Sequence, residues 1–333
     1  MADHQSTDGL RAVLRRLGNE YALPTNARQA ELIAYVDELT GAAMREVLTN
    51  PAWQAMESVW GSLRRLVMEV ETGAEVKICL LDLSRQDLSA ALGTGADLAS
   101  SAWFKLLVAD PIENDRAWAL VLGCYRFADG DEDVADLARI AAVAARAKAP
   151  FIAAADDCLA GCTSLLATPD PDEWRAGEVS AAYVALRAQP SSRWLGLTIP
   201  RFLLRLPYGK KTEAIESFPF EELPETPAHT AYTWGAAPML VGELLLQAFA
   251  REGWHLVGSV AHDVSGFPVH YYREDGETVA KPCAEIPMTE RALERLLEAG
   301  LIPLASVRDS DVILLPRLQS IASPPTGLAG RWY

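Results

Sequence analysis

One stretch restricts the folds open to this chain more than any other, residues 117–155. The run AWALVLGCY (117–125) is apolar at nearly every position rather than at every second one. Such a run reads as a buried strand. Asp129, Asp131 and Asp133 follow and put negative charge at the start of a helix, where the peptide dipole favours it. That helix continues to Ala147, Pro150 closes it, and FIAAA (151–155) is a second strand. A strand, a helix and a strand in this order is the pattern of an α/β sheet.

The flanking segments extend the pattern. Upstream, Leu32, Val36 and Leu39, then Met44, Val47 and Leu48, follow a helical period from Ala27. Asn50-Pro51 breaks the run, and Trp53, Met56, Trp60, Leu63 and Val67 form a second helix to Val70. Two helices meeting at a proline make an αα-hairpin or a bent pair. VKICLLDL (76–83) reads as a short strand, Ser84 leads a helix carrying Leu88 and Leu92, and residues 102–108 form another helix. Downstream, residues 172–187 read as an exposed helix. The apolar residues 194–206 contain Pro200, which speaks against a central strand. Residues 218–227 are a proline-rich acidic loop, and 236–251 a buried helix ended by Gly253. The last hundred residues alternate strand-like runs (Val257, 269–272, Val279 and 312–315) with turns at Ser265-Gly266 and Asp275-Gly276. They include a helix capped by Thr289 and closed by Gly300. The expected fold is α/β: N-terminal helices, a mixed α/β body with flanking helices, and a β-rich C-terminal portion. The expected organisation is a flexible segment over 1–26, a domain over 27–322 (a helical pair over 27–70 and an α/β body over 76–322), and a loose tail over 323–333.

Composition narrows the function. Half of the 333 residues are hydrophobic and 23% are charged, which is globular. Lys and Arg number 30 against 45 Asp and Glu, a net charge of −15. Such a surface repels phosphate, so neither a nucleic acid nor an anionic membrane is expected as a partner. Five cysteines at irregular spacing are not a disulfide framework. No apolar core of a signal peptide follows Met1, and the most apolar stretch, 236–250, is interrupted by Glu243 and too short to span a bilayer. A reducing cytoplasm is the expected setting.

The motifs of chemistry come close and fail. Gly209-Lys210-Lys211-Thr212 lacks the glycine a phosphate loop needs five residues earlier, where Leu204 stands. Gly93-Thr94-Gly95 follows a helix-like segment, not a strand. Cys158 and Cys162 lie one helical turn apart without a matching pair, so they read as buried thiols rather than zinc ligands. His255, His262 and His270 fit neither one helix face nor one strand face. The acidic residues 129–133 read as a helix N-terminus and depart from a calcium loop. A short amphipathic piece at Leu10, Val13, Leu14 and Leu17 reads as a terminal helix or a docking peptide. No catalytic, metal or cofactor residue is assigned.

One long string changes the picture. GLTIPRFLLRLPYG (196–209), with FPFEE (218–222) after it, resembles the large subunit of the type VI secretion contractile sheath. Other segments agree in order: NPAWQ (50–54) with Glu57 and Trp60, VKICLLDL (76–83), Tyr125 and Phe127 with Asp133-Val134, and APFIAAA (149–155). YTWG (232–235), Phe249 with Gly253-Trp254, FPVH (267–270), GLIPL (300–304) and Gln319-Ser320 complete the series. The resemblance implies a structural, phage-tail-like bacterial cytoplasmic protein with no enzyme activity and no cofactor. It implies a hetero-oligomer with the small sheath subunit (TssB-like) around an inner tube protein (Hcp). A baseplate and an AAA+ recycling unfoldase (ClpV-like) are implied as further partners. The family's large subunit continues past Gln319-Ser320, whereas this chain stops at Tyr333. A short form is therefore expected, either a sheath subunit or a non-polymerising regulator, cap or vestigial copy. Phe202, Leu203, Leu204 and Leu206 are expected as core, with Arg201 and Arg205 in ion pairs.

Overall fold

The computed structural model describes residues 27–73, 75–95, 97–113, 117–175, 179–256 and 260–332. The amphipathic piece at Leu10 to Leu17 and the strand expected at Val257 lie outside these residues. Two compact units are formed, one from 27–50 with 208–224, the other from 51–207 with 225–332.

In the larger unit β1 (Val121–Phe127), β2 (Phe151–Ala155), β3 (Leu195–Ile199) and β9 (Ile302–Pro303) form one sheet in the order β1-β2-β3-β9, all parallel. Strands covered on both faces need apolar residues on both. Phe151, Ala153, Leu195 and Leu197 accordingly face one core, while Ile152 and Ile302 face another. The first core is closed by α3 (Arg85–Leu92), a helical stretch α4 over 102–113, α5 (Asp131–Ala147) and α6 (Ala181–Arg187). Within α4 the turn over Lys105–Ala109 is a π-bulge. The second core is closed by α7 (Ala237–Glu252), whose Leu240, Val241, Leu244 and Leu245 are buried. Helix α2 (Pro51–Glu69) belongs to the same unit and contributes Leu66 to a smaller cluster with Val70 and Met239.

The remaining strands are short. β4 (Phe202–Leu203) pairs antiparallel with β5 (Trp234–Gly235). β10 (Ala305–Ser306), β11 (Ile313–Leu314) and β6 (Asp263–Val264) form a three-stranded sheet. β7 (His270–Glu274) and β8 (Glu277–Lys281) form a hairpin whose turn residues Asp275 and Gly276 both have positive φ, the geometry a two-residue hairpin turn demands. Helix α8 (Glu290–Glu298) starts at Thr289, whose hydroxyl accepts from the Ala292 amide, and ends before Gly300 at φ 78°.

In the smaller unit α1 (Ala27–Leu48) packs with the loop 208–224. The Arg45 guanidinium donates to the Glu221 carbonyl at 3.0 Å and lies over the Phe220 ring. Tyr208 and Glu222 close the loop, the Tyr208 amide donating to the Glu222 carboxylate at 2.7 Å and the Glu222 amide to the Tyr208 carbonyl.

Four expectations need correction. Residues 76–83 are extended but make no strand ladder with any described residue. Residues 195–199 are a central strand after all, because Pro200 falls one residue beyond its end and removes no ladder donor within it. The helix expected over 172–187 is helical only from Ala181, after a single turn at Pro171–Glu173. The tail is not loose: Leu328, Ala329 and Trp332 are buried, and the Arg331 guanidinium donates to the carbonyls of Trp118 and Ala147.

Candidate interaction surface

Helix α1 has an apolar stripe that the described residues leave exposed. Leu32, Tyr35, Val36 and Leu39 recur at helical spacing and are each more than half exposed, and Ile33 and Val47 are similar. A contiguous apolar face of this kind on a polar helix marks a surface that another element covers. The sequence period predicted the stripe; what it left open was whether the stripe faces the chain's own core.

Helix α2 carries a second such face. Trp53, Met56, Trp60, Val67 and Met68 are exposed, while the opposite side is tied down. There the Ser62 hydroxyl accepts from the Ala236 amide at 2.8 Å. Arg65 donates to both carboxylate oxygens of Glu243 at 2.9 and 3.0 Å and lies over the Phe267 ring. Glu243 is 1% exposed, and burial pushes its carboxyl up despite Arg65. The Glu57 carboxylate accepts from Arg205 at 2.5 Å. The inward face of α2 is therefore held by charge pairs and hydrogen bonds, which leaves its tryptophans outward.

The PRFLLR string divides as expected between core and ion pairs. Phe202 and Leu203 are buried and Leu204 and Leu206 half-buried. Arg205 pairs with Glu57, and Arg201 with Glu285 through two donors at 2.9 and 2.5 Å. Glu285 also meets the His229 ring at 3.1 Å. Burial works to raise this carboxyl, but the hydrogen bonds from His229 and Arg201 outweigh it and hold it at about 2. His229 stacks on Trp234, and the Lys281 ammonium stands over Tyr232 and Trp234. This cluster escaped the sequence reading, since its members are scattered between 201 and 285 and share no motif.

A cavity of about 420 Å³ opens at the carboxyl ends of β1, β2 and β3, beside Arg126, Arg201, Tyr232, Trp234 and Val59. Its charges are already matched: Arg126 pairs with Asp156 and Asp157, Arg201 with Glu285. The other motif residues are placed structurally. The Asp133 carboxylate accepts from Arg85 at 2.6 Å and from the Ala128 amide at 2.7 Å at the start of α5. The Asp129 carboxylate accepts from the Ser180 amide. Cys158 and Cys162 are half-buried thiols that burial pushes up to about 12 and about 11. His270 bonds the Tyr232 hydroxyl, His262 lies 3.2 Å from the Leu315 carbonyl, and His255 is exposed. Gly93 ends α3, and the Lys210 amide donates to the Glu221 carboxylate, which would repel a phosphate there. Among the described residues no group of three His, Cys, Asp or Glu is placed to hold a metal ion. No described helix is long and apolar enough to cross a membrane.

Residues 30–322 match the family model of the EvpB/VC_A0108 tail sheath N-terminal domain. The chain belongs to this tail sheath family. It is similar to the type VI secretion system sheath protein TssC1 of Pseudomonas aeruginosa, at 29% identity over 313 residues. That alignment takes in 88% of this chain and 61% of the relative, so the chain spans about three-fifths of the length of the curated relative it matches. Within the tail sheath domain the matched span includes α1, the arginine string and the parallel sheet.

Proposed function

We propose that this chain is a structural component of a type VI secretion contractile sheath, and that it works by assembly rather than by catalysis. The partner it requires is a small sheath subunit, and the complex sits in the bacterial cytoplasm around an inner tube. The observation that carries the reading is the exposed apolar stripe of α1, with the outward tryptophans of α2 as a second such face. Fully burying a leucine, valine or phenylalanine side chain is worth about 1.5–3 kcal/mol, so two such faces supply the drive for association. The matched charges of the cavity fit a body that holds its shape, and the family match gives the assembly its class. Contact with the tube, the baseplate and an AAA+ unfoldase belongs to the same proposal.

Co-expression with the small sheath subunit of the same gene cluster tests it. Co-purification with tubules in electron micrographs is the expected result. A soluble complex without tubules would make the chain a cap or regulator of assembly. A chain that captures no small subunit would overturn the sheath reading.

A further inference from the structure

Lys281, the last residue of β8, is held unlike the chain's other lysines. Lys77, Lys105, Lys148, Lys210 and Lys211 are exposed, whereas Lys281 is half-buried. Its ammonium stands 5.1 Å from the centre of the Tyr232 ring and 5.6 Å from that of Trp234. No described carboxylate makes an ion pair with it, and the nearby Glu285 is engaged by Arg201 and His229. Its polar partner is the His229 ring, whose Nδ1 lies 3.2 Å away. An ammonium has only protons to give, so Nδ1 accepts and the ring proton sits on Nε2, where it donates to Glu285 at 3.1 Å. Glu285 is fixed in turn by Arg201, and the His229 ring by stacking on Trp234. Amine, imidazole and carboxylate thus stand in the order of a nucleophile, a base in reach of its proton, and a third group that orients the base. Burial also lowers the pKa of the ammonium, against the pull of Glu285 and Glu274.

We propose that Lys281 is a covalent modification site, an amine activated by His229 that takes an acyl group from a small acyl phosphate. His229 Nδ1 removes one proton from the ammonium and passes it to water. The free amine attacks the carbonyl carbon, a C–N bond forms, and the C–O bond to phosphate breaks with its electron pair on the phosphate. The second amine proton leaves with that phosphate, so the products are an amide and inorganic phosphate. The site supplies a base and positions no acid, which selects a donor whose leaving group departs as an anion. The two rings around the amine restrict the donor to a small one. Acylation removes the positive charge from Tyr232 and Trp234, at the base of the β7–β8 hairpin.

The whole chain incubated with acetyl phosphate at pH 7 tests this, with acetylation at each lysine followed by mass spectrometry. An ordinary lysine is a free amine in roughly one molecule in 2,500 at that pH, so the five exposed lysines set the background. Lys281 is expected to react at least about tenfold faster than any of them. His229→Gln keeps an acceptor toward Lys281 and a donor toward Glu285 but cannot take a proton. It should bring Lys281 down to the background with an unchanged unfolding temperature. Should that variant not fold, the wild-type chain in denaturant replaces it, where the excess at Lys281 must vanish. A rate at Lys281 no higher than that of the exposed lysines would overturn the proposal. An excess that survives in folded His229→Gln, or in the denatured chain, would overturn it too.

Discussion

Glu243 on α7 is buried and has its countercharge on α2, so an ion pair ties the two helices together. Removing Arg65 alone leaves a carboxylate 1% exposed without its countercharge. Arg65→Ala is expected to cost about 3–5 kcal/mol in a denaturant titration. The double variant Arg65→Met, Glu243→Leu should recover most of that loss, because it removes the charge as well as its partner. Glu285 predicts a pH dependence of definite sign. Its carboxyl ionises at about 2 in the folded chain against an ordinary 4.5. The contribution, on the order of 3 kcal/mol, is therefore present above about pH 4.5 and fades as the pH falls toward 2. Glu285→Gln should flatten the stability curve across that window, and unfolding at a series of acid pH values checks it. None of these partners was legible in the sequence, because Arg65 and Glu243 stand 178 residues apart and a charge does not announce its mate.

At the scale of elements, α1 predicts a separation between folding and binding. Leu32→Asp with Leu39→Asp changes residues already in water, so stability should move by no more than about 0.5 kcal/mol. Binding to the small subunit should fall at least about tenfold, read by titration calorimetry. Gly300 is the opposite case. Its φ of 78° and the Ile321 carbonyl oxygen 3.0 Å from where a Cβ would sit leave no room for a side chain. Gly300→Ala should cost more than about 1 kcal/mol, measured by thermal unfolding. Elements with local signals were legible: α5 from its acidic first turn, α8 from Thr289 and Gly300, the β7–β8 hairpin from Asp275-Gly276. Two runs were misread for one reason. Residues 76–83 have a strand's composition and residues 195–199 a suspect proline beside them, but pairing is decided by what lies alongside, and that is not written locally. The exposed stripes of α1 and α2 show the same limit, since a helical period reveals an apolar face and not whose core it enters.

For the molecule as a whole, a charge of −15 sets the conditions of assembly. Copies repel at low salt, while their apolar faces are indifferent to it. Self-association in the absence of any partner should therefore be weakest at low ionic strength and rise with added salt, which sedimentation velocity would follow. Association that fell with salt would mean that ion pairs, not apolar faces, carry the contact. The family was legible because many short segments keep their order from 30 to 322, a property of the whole chain that no single motif possesses. The packed tail has a further effect. Trp332 is sunk beside Leu328, and Arg331 is fastened to the carbonyls of Trp118 and Ala147, at the entrance to β1 and the end of α5. The backbone as far as Trp332 is therefore fastened to the body. A rigid reporter joined after Trp332 would turn with the parallel sheet and act as a pointer to the tilt of each subunit, so that a change of packing could be followed as a rotation.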